Sequence, residues 1–435
     1  MNRLVRAALA IAFIASPAFA APPTAPERTI IATVDAEQSR TLTLLEKAVN
    51  QNSGTRNLAG VKAVHDLLAP EFEALGFAVR WIPMDAVQRA GHLIATHKGK
   101  SRRKRLLLIG HLDTVFEADS PFQRYERIDE AHARGPGVSD DKGGVVTMIA
   151  ALRAMQAAGT LKGANIEVVL TGDEEEVGLP VETSRAELVA AGKRADAALD
   201  FEGLAQENGA DMGSIARRSS SNWNLVIEAK SAHSSGIFAP STGDGAVYAL
   251  ARILAAFRAE LPEPNLTFNA GLVAGGATAA LGPDQARAEA TGKTNIIPAQ
   301  AIARGDMRAL SPEQIARVSA KMQEIVGRDY PGATATLAFE HKYPPMAPTA
   351  GNRALLAKLN LVNETLGLPA MGELDPLKRG AGDISFVAND VDGLIGLGPA
   401  SDGDHTPAET VDVPTIFKQA KRAALLMSRL TAERR

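Results

Sequence analysis

The chain has 435 residues, 45 % of them apolar, and a formal net charge of −3. That length allows two or more domains with a sizeable core, and the charge balance gives no reason to expect nucleic acid or an acidic membrane surface as a partner. Cysteine is absent, which excludes disulfides, thiolate metal sites and a cysteine nucleophile, so any metal must be held by His, Asp and Glu.

The first segment, "MNRLVRAALAIAFIASPAFA", carries Arg3 and Arg6, an apolar run from Ala7 to Ala15, and Ala18-Phe19-Ala20. This pattern predicts a secretory signal at 1–20, cleaved after Ala20, and hence a periplasmic or secreted protein. The apolar run is too short to span a membrane comfortably, and no later stretch is apolar for long enough. No stable membrane anchor is therefore expected after cleavage.

From about Thr33 helix and strand patterns alternate. "GVKAVHDLLAPEFEALG" has helical spacing and "FAVRWIPM" reads as a strand. "HLIATHKG" and "RLLLIGHLD" read as two apolar strands around the basic run "KGKSRRKR". That run predicts a solvated hairpin turn, being short and without interleaved aromatic residues. "GGVVTMIAALRAMQAAG" is a helix and "NIEVVLTG" the next buried strand. The alternation predicts an α/β fold, a mixed, mostly parallel sheet with helices on both faces.

Near Arg217 the texture changes. "SNWNLVIEAK" alternates as a half-exposed strand does, and a helix is expected from Asp244 to Leu261. Strand-like pieces follow at "LTFNAGLVAG", "ARAEATG" and "AIARGDMRAL", then a helix from Pro312 to Gly327 and the strand "TATLAFE". The order β-α-β-β-α-β predicts an inserted α+β ferredoxin-like domain. Its limits are read as 217–344, interrupting a catalytic domain at 21–216 and 345–435. After "YPPMAPT" the α/β pattern resumes with a helix near Leu355 to Leu366 and the strand "GLIGLG".

Ligands of open α/β sheets gather beyond the carboxyl ends of the strands. Such ends here carry His111 and Asp113, Asp140 and Asp141, Glu174 and Glu175, Asp200 and Glu202, and finally His405. Imidazole and carboxylate suit zinc and similar divalent ions. Two ions about 3.5–4 Å apart, bridged by a carboxylate, form a common hydrolytic centre. Such a centre would also explain how four consecutive acids, Asp173 to Glu176, are tolerated at the end of a buried strand. Each piece alone is ordinary; their joint occurrence in order carries the reading.

The motifs "GHLDTV", "GPGVSDDKGG", "TGDEEEVG" and "AHSSG", in this order, resemble the zinc-dependent exopeptidase and amidohydrolase family of glutamate carboxypeptidase, aminoacylase, succinyl-diaminopimelate desuccinylase and peptidase T. The similarity covers nearly the whole chain after the leader and is greatest to exported bacterial glutamate carboxypeptidases. It implies that His111, Asp140, Glu175, Glu202 and His405 hold two zinc ions, with Asp140 bridging; cobalt or manganese could substitute. At the fourth ligand Asp200 is the alternative to Glu202. Asp113 would orient His111 and Glu174 would be the general base, with Glu176 a solvated carboxylate outside the site.

By the same resemblance His233 would reach into a partner subunit's site in a homodimer and donate to the oxyanion. Arg308 would clamp the substrate's free carboxylate; its alternative role is an ion pair with Asp306. Asn295 and Gly382 would line the substrate pocket, where Asp383 either lies nearby or caps the next helix. His65, His92, His97, His132 and His341 read as surface or core histidines. The implied activity is hydrolysis of the amide bond next to a C-terminal amino acid of a small peptide. Cleavage of N-acyl amino acids is the alternative. A binding module with an inactive metal site is disfavoured, since a pure binder has no use for Glu174.

Overall fold

The computed structural model describes residues 22–435; the leader expected at 1–20 lies outside the described residues. Three helices open the chain: α1 (Ala25–Ala36), α2 (Gln38–Asn50) and α3 (Leu58–Ala74). Then come strands β1 (Ala78–Met84), β2 (Arg89–His97) and β3 (Arg105–His111), helix α4 (Lys142–Ala157), strand β4 (Asn165–Thr171), helix α5 (Ala186–Arg194) and strand β5 (Ala197–Asp200).

The next block holds β6 (Ser220–Ala229), α6 (Ala246–Glu260), β7 (Thr267–Gly276), β8 (Gln300–Arg308), α7 (Pro312–Val326) and β9 (Ala333–Tyr343). The chain closes with α8 (Ala350–Thr365), β10 (Gly393–Ile395) and α9 (Val413–Ala432).

The larger sheet runs β1-β2-β4-β3-β5-β10. β4, β3, β5 and β10 are mutually parallel, and β2 is antiparallel to both β1 and β4. Strand β3 shows why this sheet is covered on both faces. Leu106 and Leu108 pack into one apolar cluster with α1, α2, α4 and α9, while Leu107 and Ile109 pack into a second with Leu188 of α5 and Ile384. Successive side chains point to opposite faces, so only a continuous apolar run satisfies both. Helix α4 lies inside the first layer and is buried from Lys142 to Met155, which accounts for its apolar residues on every side.

The smaller sheet runs β7-β8-β6-β9 and is wholly antiparallel. Its core, from Trp223 to Leu337, gathers α6 and α7 on one face. This is the ferredoxin-like arrangement expected from the β-α-β-β-α-β order.

Two expectations are corrected. "ARAEATG" is not a strand of this sheet: Ala288–Thr291 pairs only with Thr278–Leu281 in a side hairpin. Alternating small and charged residues give that segment no apolar face to bury. The basic run 98–105 is not a hairpin turn either, because β4 lies between β2 and β3. The connection arches over the start of β4, where the Asn165 amide donates to Lys100 O at 2.7 Å. Local pattern marks a turn but not the strand that comes between.

Candidate active site

The carboxyl ends of β3, β4 and β5, the start of α4 and the loop at His405 converge. His111 ends β3. Its Nε2 is 2.9 Å from Asp140 Oδ1, and its Nδ1 is 3.1 Å from the Asp113 carbonyl and 3.4 Å from Asp113 Oδ1. His405 Nε2 lies 3.0 Å from Asp140 Oδ2 and 3.2 Å from Glu175 Oε2. One Asp140 oxygen thus faces each histidine. Ligand atoms of His111, Asp140 and Glu202 lie within 4.8 Å of one another, as do those of Asp140, Glu175 and His405.

The donor set fits two divalent ions. It offers imidazole nitrogen and carboxylate oxygen in two groups that share one carboxylate. The Nδ1 of His111 is engaged behind it by Asp113, the arrangement that orients a ligating imidazole. Electrostatics agree. Burial pushes the Glu175 carboxyl well above its usual range, and the Asp140 charge adds to this. Burial, then Glu202, does the same to Glu174. Packed anions of this kind call for cations.

Of the sequence-predicted residues, the structure brings His111, Asp140, Glu175, Glu202 and His405 together, and Glu174 stands beside them outside both groups. Asp113 does more than orient His111. Fully buried, it accepts Thr55 Oγ1 at 2.6 Å and the amides of Glu174 and Glu175 at 3.0 and 3.1 Å, and so sets the loop that carries both glutamates.

The four consecutive acids have four different fates. Asp173 is buried against Arg185 at 2.6 Å. Glu174 faces the site, with its carbonyl accepting Tyr343 Oη at 2.6 Å. Glu175 joins a ligand group. Glu176 is half exposed, as expected, but is also paired with Arg56 and, at 3.5 Å, with Arg89.

The alternatives at the fourth ligand separate in space. Glu202 enters the group with His111 and Asp140, and its Oε2 pairs with the buried Arg217 at 2.7 Å. Asp200 turns back, its Oδ1 accepting the Glu202 amide at 3.1 Å. Glu202→Gln is therefore expected to lower bound metal by about one equivalent, and Asp200→Asn to leave metal content unchanged, as read by metal analysis of purified protein.

The inserted segment's residues lie apart from the ligand groups. His233 is exposed; its Nδ1 accepts the Ser235 amide at 3.2 Å, which leaves the ring proton to Nε2. Asn295 lies beside it, its carbonyl accepting the Ser234 amide at 3.0 Å. Arg308 Nε is 3.4 Å from Asp306 Oδ2, so that ion pair is present. Among the described residues no hydrogen bond or ion pair of these three side chains reaches the ligand groups. Gly382 packs against Arg217, where an added Cβ would lie 2.4 Å from Nη1. Asp383 is not a helix cap: it is buried in an ion pair with Arg185 at 2.7 Å. The remaining histidines bond locally through at least one ring nitrogen, His92 for example against Ser184 O at 2.7 Å, and His65 Nε2 is buried without a partner.

Two contributors were not singled out from the sequence. Glu409 is buried and accepts the amides of Gly137, Ser139 and Asp140 at 2.9, 3.0 and 3.2 Å, holding the loop that presents Asp140. Its sequence signal is its place four residues after His405. Arg217, which pairs with Glu202, has no such signal. Glycine matters at two places beneath the site. A Cβ on Gly110 would lie 2.5 Å from Asp141 Oδ2, and one on Gly144 2.0 Å from Asp141 Oδ1. Their absence admits the buried Asp141 carboxylate, which accepts the His111 amide at 3.1 Å.

Comparison with known proteins agrees with this geometry. Residues 107–429 match the model of peptidase family M20/M25/M40. The chain is 27 % identical over 438 residues to carboxypeptidase G2 of Pseudomonas sp. strain RS-16, covering 98 % of this chain and 97 % of that one. The aminopeptidase PepT of Bacillus cereus superposes with a TM-score of 0.71 at 20 % identity, over 91 % of this chain and 99 % of its own. A dinuclear metal-binding M20 peptidase of Bacillus subtilis gives 0.63 at 16 %, over 92 % and 99 %. The family is metal-dependent and hydrolytic, in keeping with a carboxylate and imidazole cluster at the strand ends. The chain belongs to peptidase family M20/M25/M40.

Proposed function

We infer that this hydrolase is an exported two-zinc carboxypeptidase that cleaves the amide bond before a C-terminal amino acid. The observation that carries the reading is Asp140 facing two ligand groups, with Glu174 beside them and bound to neither. Zinc held by His111, Asp140 and Glu202 and by Asp140, Glu175 and His405 would supply Lewis acidity to the amide carbonyl and to water. Glu174 takes a proton from the attacking water and returns it to the leaving nitrogen.

Selection of a free carboxylate rests on arginines around residues 377–380. Arg218 Nη2 donates to Leu377 O at 3.2 Å, Arg217 Nε donates to Gly380 O at 2.7 Å, and Arg308 Nη1 lies 3.7 Å from the Cβ position of Gly380. Arg379 extends from the same loop and donates to Gly203 O. Guanidinium forks suit carboxylates; Arg217 is already paired with Glu202, and Arg218, Arg308 and Arg379 together favour an acidic leaving residue. A cavity of about 480 Å³, lined by Glu175 and Glu176 together with Arg56, Arg89, Lys342 and Tyr343, leaves room for the acyl part. Similarity to carboxypeptidase G2 over nearly the whole chain supports cleavage at the C-terminal end of the substrate. The test is a hydrolysis screen of dipeptides and N-acyl amino acids on the zinc-loaded protein without residues 1–20. Release of the C-terminal residue from dipeptides is expected, with acidic residues preferred. Turnover of N-acetyl amino acids alone would favour the aminoacylase-like alternative.

His233 is placed in this reading as a donor to the oxyanion of a partner subunit's site, through a two-fold dimer made by residues 217–344. Its Nε2 proton and its exposure support the role. His233→Ala and Glu174→Gln chains, each nearly inactive, should regain activity when mixed and allowed to exchange, toward one working site per mixed dimer. No recovery, with exchange confirmed by mass, would confine His233 to its own subunit or remove it from the reaction.

A further inference from the structure

Six of the eight residues 98–105 are Lys or Arg, and none of them takes part in the site described above. The connection they form is held in shape. Asn165 Nδ2 donates to Lys100 O and Arg103 O at 2.7 and 3.2 Å, and its Oδ1 accepts the Gly99 amide at 3.0 Å. The chain end is stitched to it: Arg103 and Arg434 form an antiparallel bridge, and the Arg435 amide donates to Arg102 O at 3.0 Å.

The result is a concavity of about 330 Å³ lined by Lys100, Ser101, Arg102, Arg103 and Arg434, with no acid in its lining. Two acids lie within this patch: Glu433 pairs with Lys104 at 2.7 Å, and Asp196 pairs with Arg435 at 2.9 Å and accepts the Arg105 amide at 2.9 Å. Among the described residues Lys100, Arg102, Arg103 and Arg434 form no ion pair.

A second concavity, of about 560 Å³, shares Ser101 with the first. Its lining includes the apolar Leu106, Ile166, Ala191 and Ala195, the cations Lys98 and Arg105, and two acids, Glu167 paired with Arg194 at 2.7 Å and Glu187 at 3.7 Å from Arg80. Cations gathered on a fixed backbone create a positive potential that an anion relieves. A trough of this volume beside them, with apolar side chains at its base and paired charges along its edge, is of ligand size. Neither concavity is lined by Phe, Tyr or Trp, so nucleic-acid bases find no stacking platform.

We propose that this end of the molecule binds an anionic phospholipid, its phosphate over residues 100–103 and Arg434 and an acyl chain along the Leu106–Ile166 trough. The basic connection precedes β3 and the ligand groups follow it, at opposite ends of one strand. A lipid surface docked here leaves the reaction site facing solution.

The test titrates the zinc-loaded protein with dodecyl phosphate and with inorganic phosphate by calorimetry, then sediments it with vesicles of phosphatidylglycerol or of phosphatidylcholine. Dodecyl phosphate should bind at least tenfold tighter than phosphate. Sedimentation should require phosphatidylglycerol and weaken with salt. The triple variant Arg102→Glu, Arg103→Glu, Arg434→Glu should lose about a hundredfold in vesicle affinity, since each cation near an anionic surface contributes about 1 kcal/mol. Thr96→Trp, which narrows the trough, should weaken dodecyl phosphate and not inorganic phosphate. Both variants should keep wild-type melting and dipeptide hydrolysis, so a failed hydrolysis screen would not be mistaken for a failed lipid site. Equal affinity for the two phosphates, vesicle binding unchanged in the triple variant, or tighter binding to duplex DNA than to phosphatidylglycerol would each overturn the proposal.

Discussion

Glu174→Gln is expected to keep two equivalents of metal and to lower kcat by a factor of about 10²–10⁴, the usual range for a lost general base. The amide has the same shape and leaves the backbone contacts untouched, the Glu174 amide on Asp113 and its carbonyl on Tyr343. It cannot accept a proton from water. Glu174 also offers no atom to either ligand group, so metal analysis separates loss of chemistry from loss of the centre. Glu176→Gln is the control. That side chain is 50 % exposed and paired with Arg56, and surface pairs of this kind contribute little. Its activity should stay near wild type. An inactive Glu176→Gln beside an active Glu174→Gln would shift the assignment by two residues.

Asp140→Ala is expected to lose both ions, and His111→Ala or His405→Ala about one each. The difference follows from the geometry: Asp140 Oδ1 faces His111 and Oδ2 faces His405, whereas each histidine belongs to one group. Removing Asp140 deprives both groups of a donor and leaves Glu175 and Glu202 without the shared carboxylate. Metal content by elemental analysis after desalting is the readout. Two full equivalents in Asp140→Ala would sink the bridging role. Chelation of the wild-type protein should likewise lower its melting temperature, because metal that binds only the folded state adds to stability.

Much of the body was legible in local pattern. The apolar run of β3 required cover on both sides, and the structure supplies it with two separate clusters. The β-α-β-β-α-β order read from alternation and helical spacing is the order of the smaller sheet. The pattern failed at Ala288–Thr291, where a strand-like stretch has no apolar face and pairs only in a side hairpin. It failed again at residues 98–105, where a turn was visible but the strand lodged between its arms was not.

By itself the sequence determined which groups stand at the strand ends and in what order, since residue type and hydrophobic period are local properties. It also placed Glu174 and Glu175 side by side after a buried strand. Only the tertiary structure separated Asp200 from Glu202 in space. Asp200 ends β5 and Glu202 lies two positions beyond it, and they part because Arg217 meets Glu202 while the Glu202 amide captures Asp200. The same holds for the four acids at 173–176, which are divided among Arg185, the two sides of the ligand cluster and Arg56. Glu409, which braces the Asp140 loop from 269 residues away in the chain, belongs with them. These outcomes depend on partners brought together by packing, and no periodicity of the chain encodes a contact between segments so far apart.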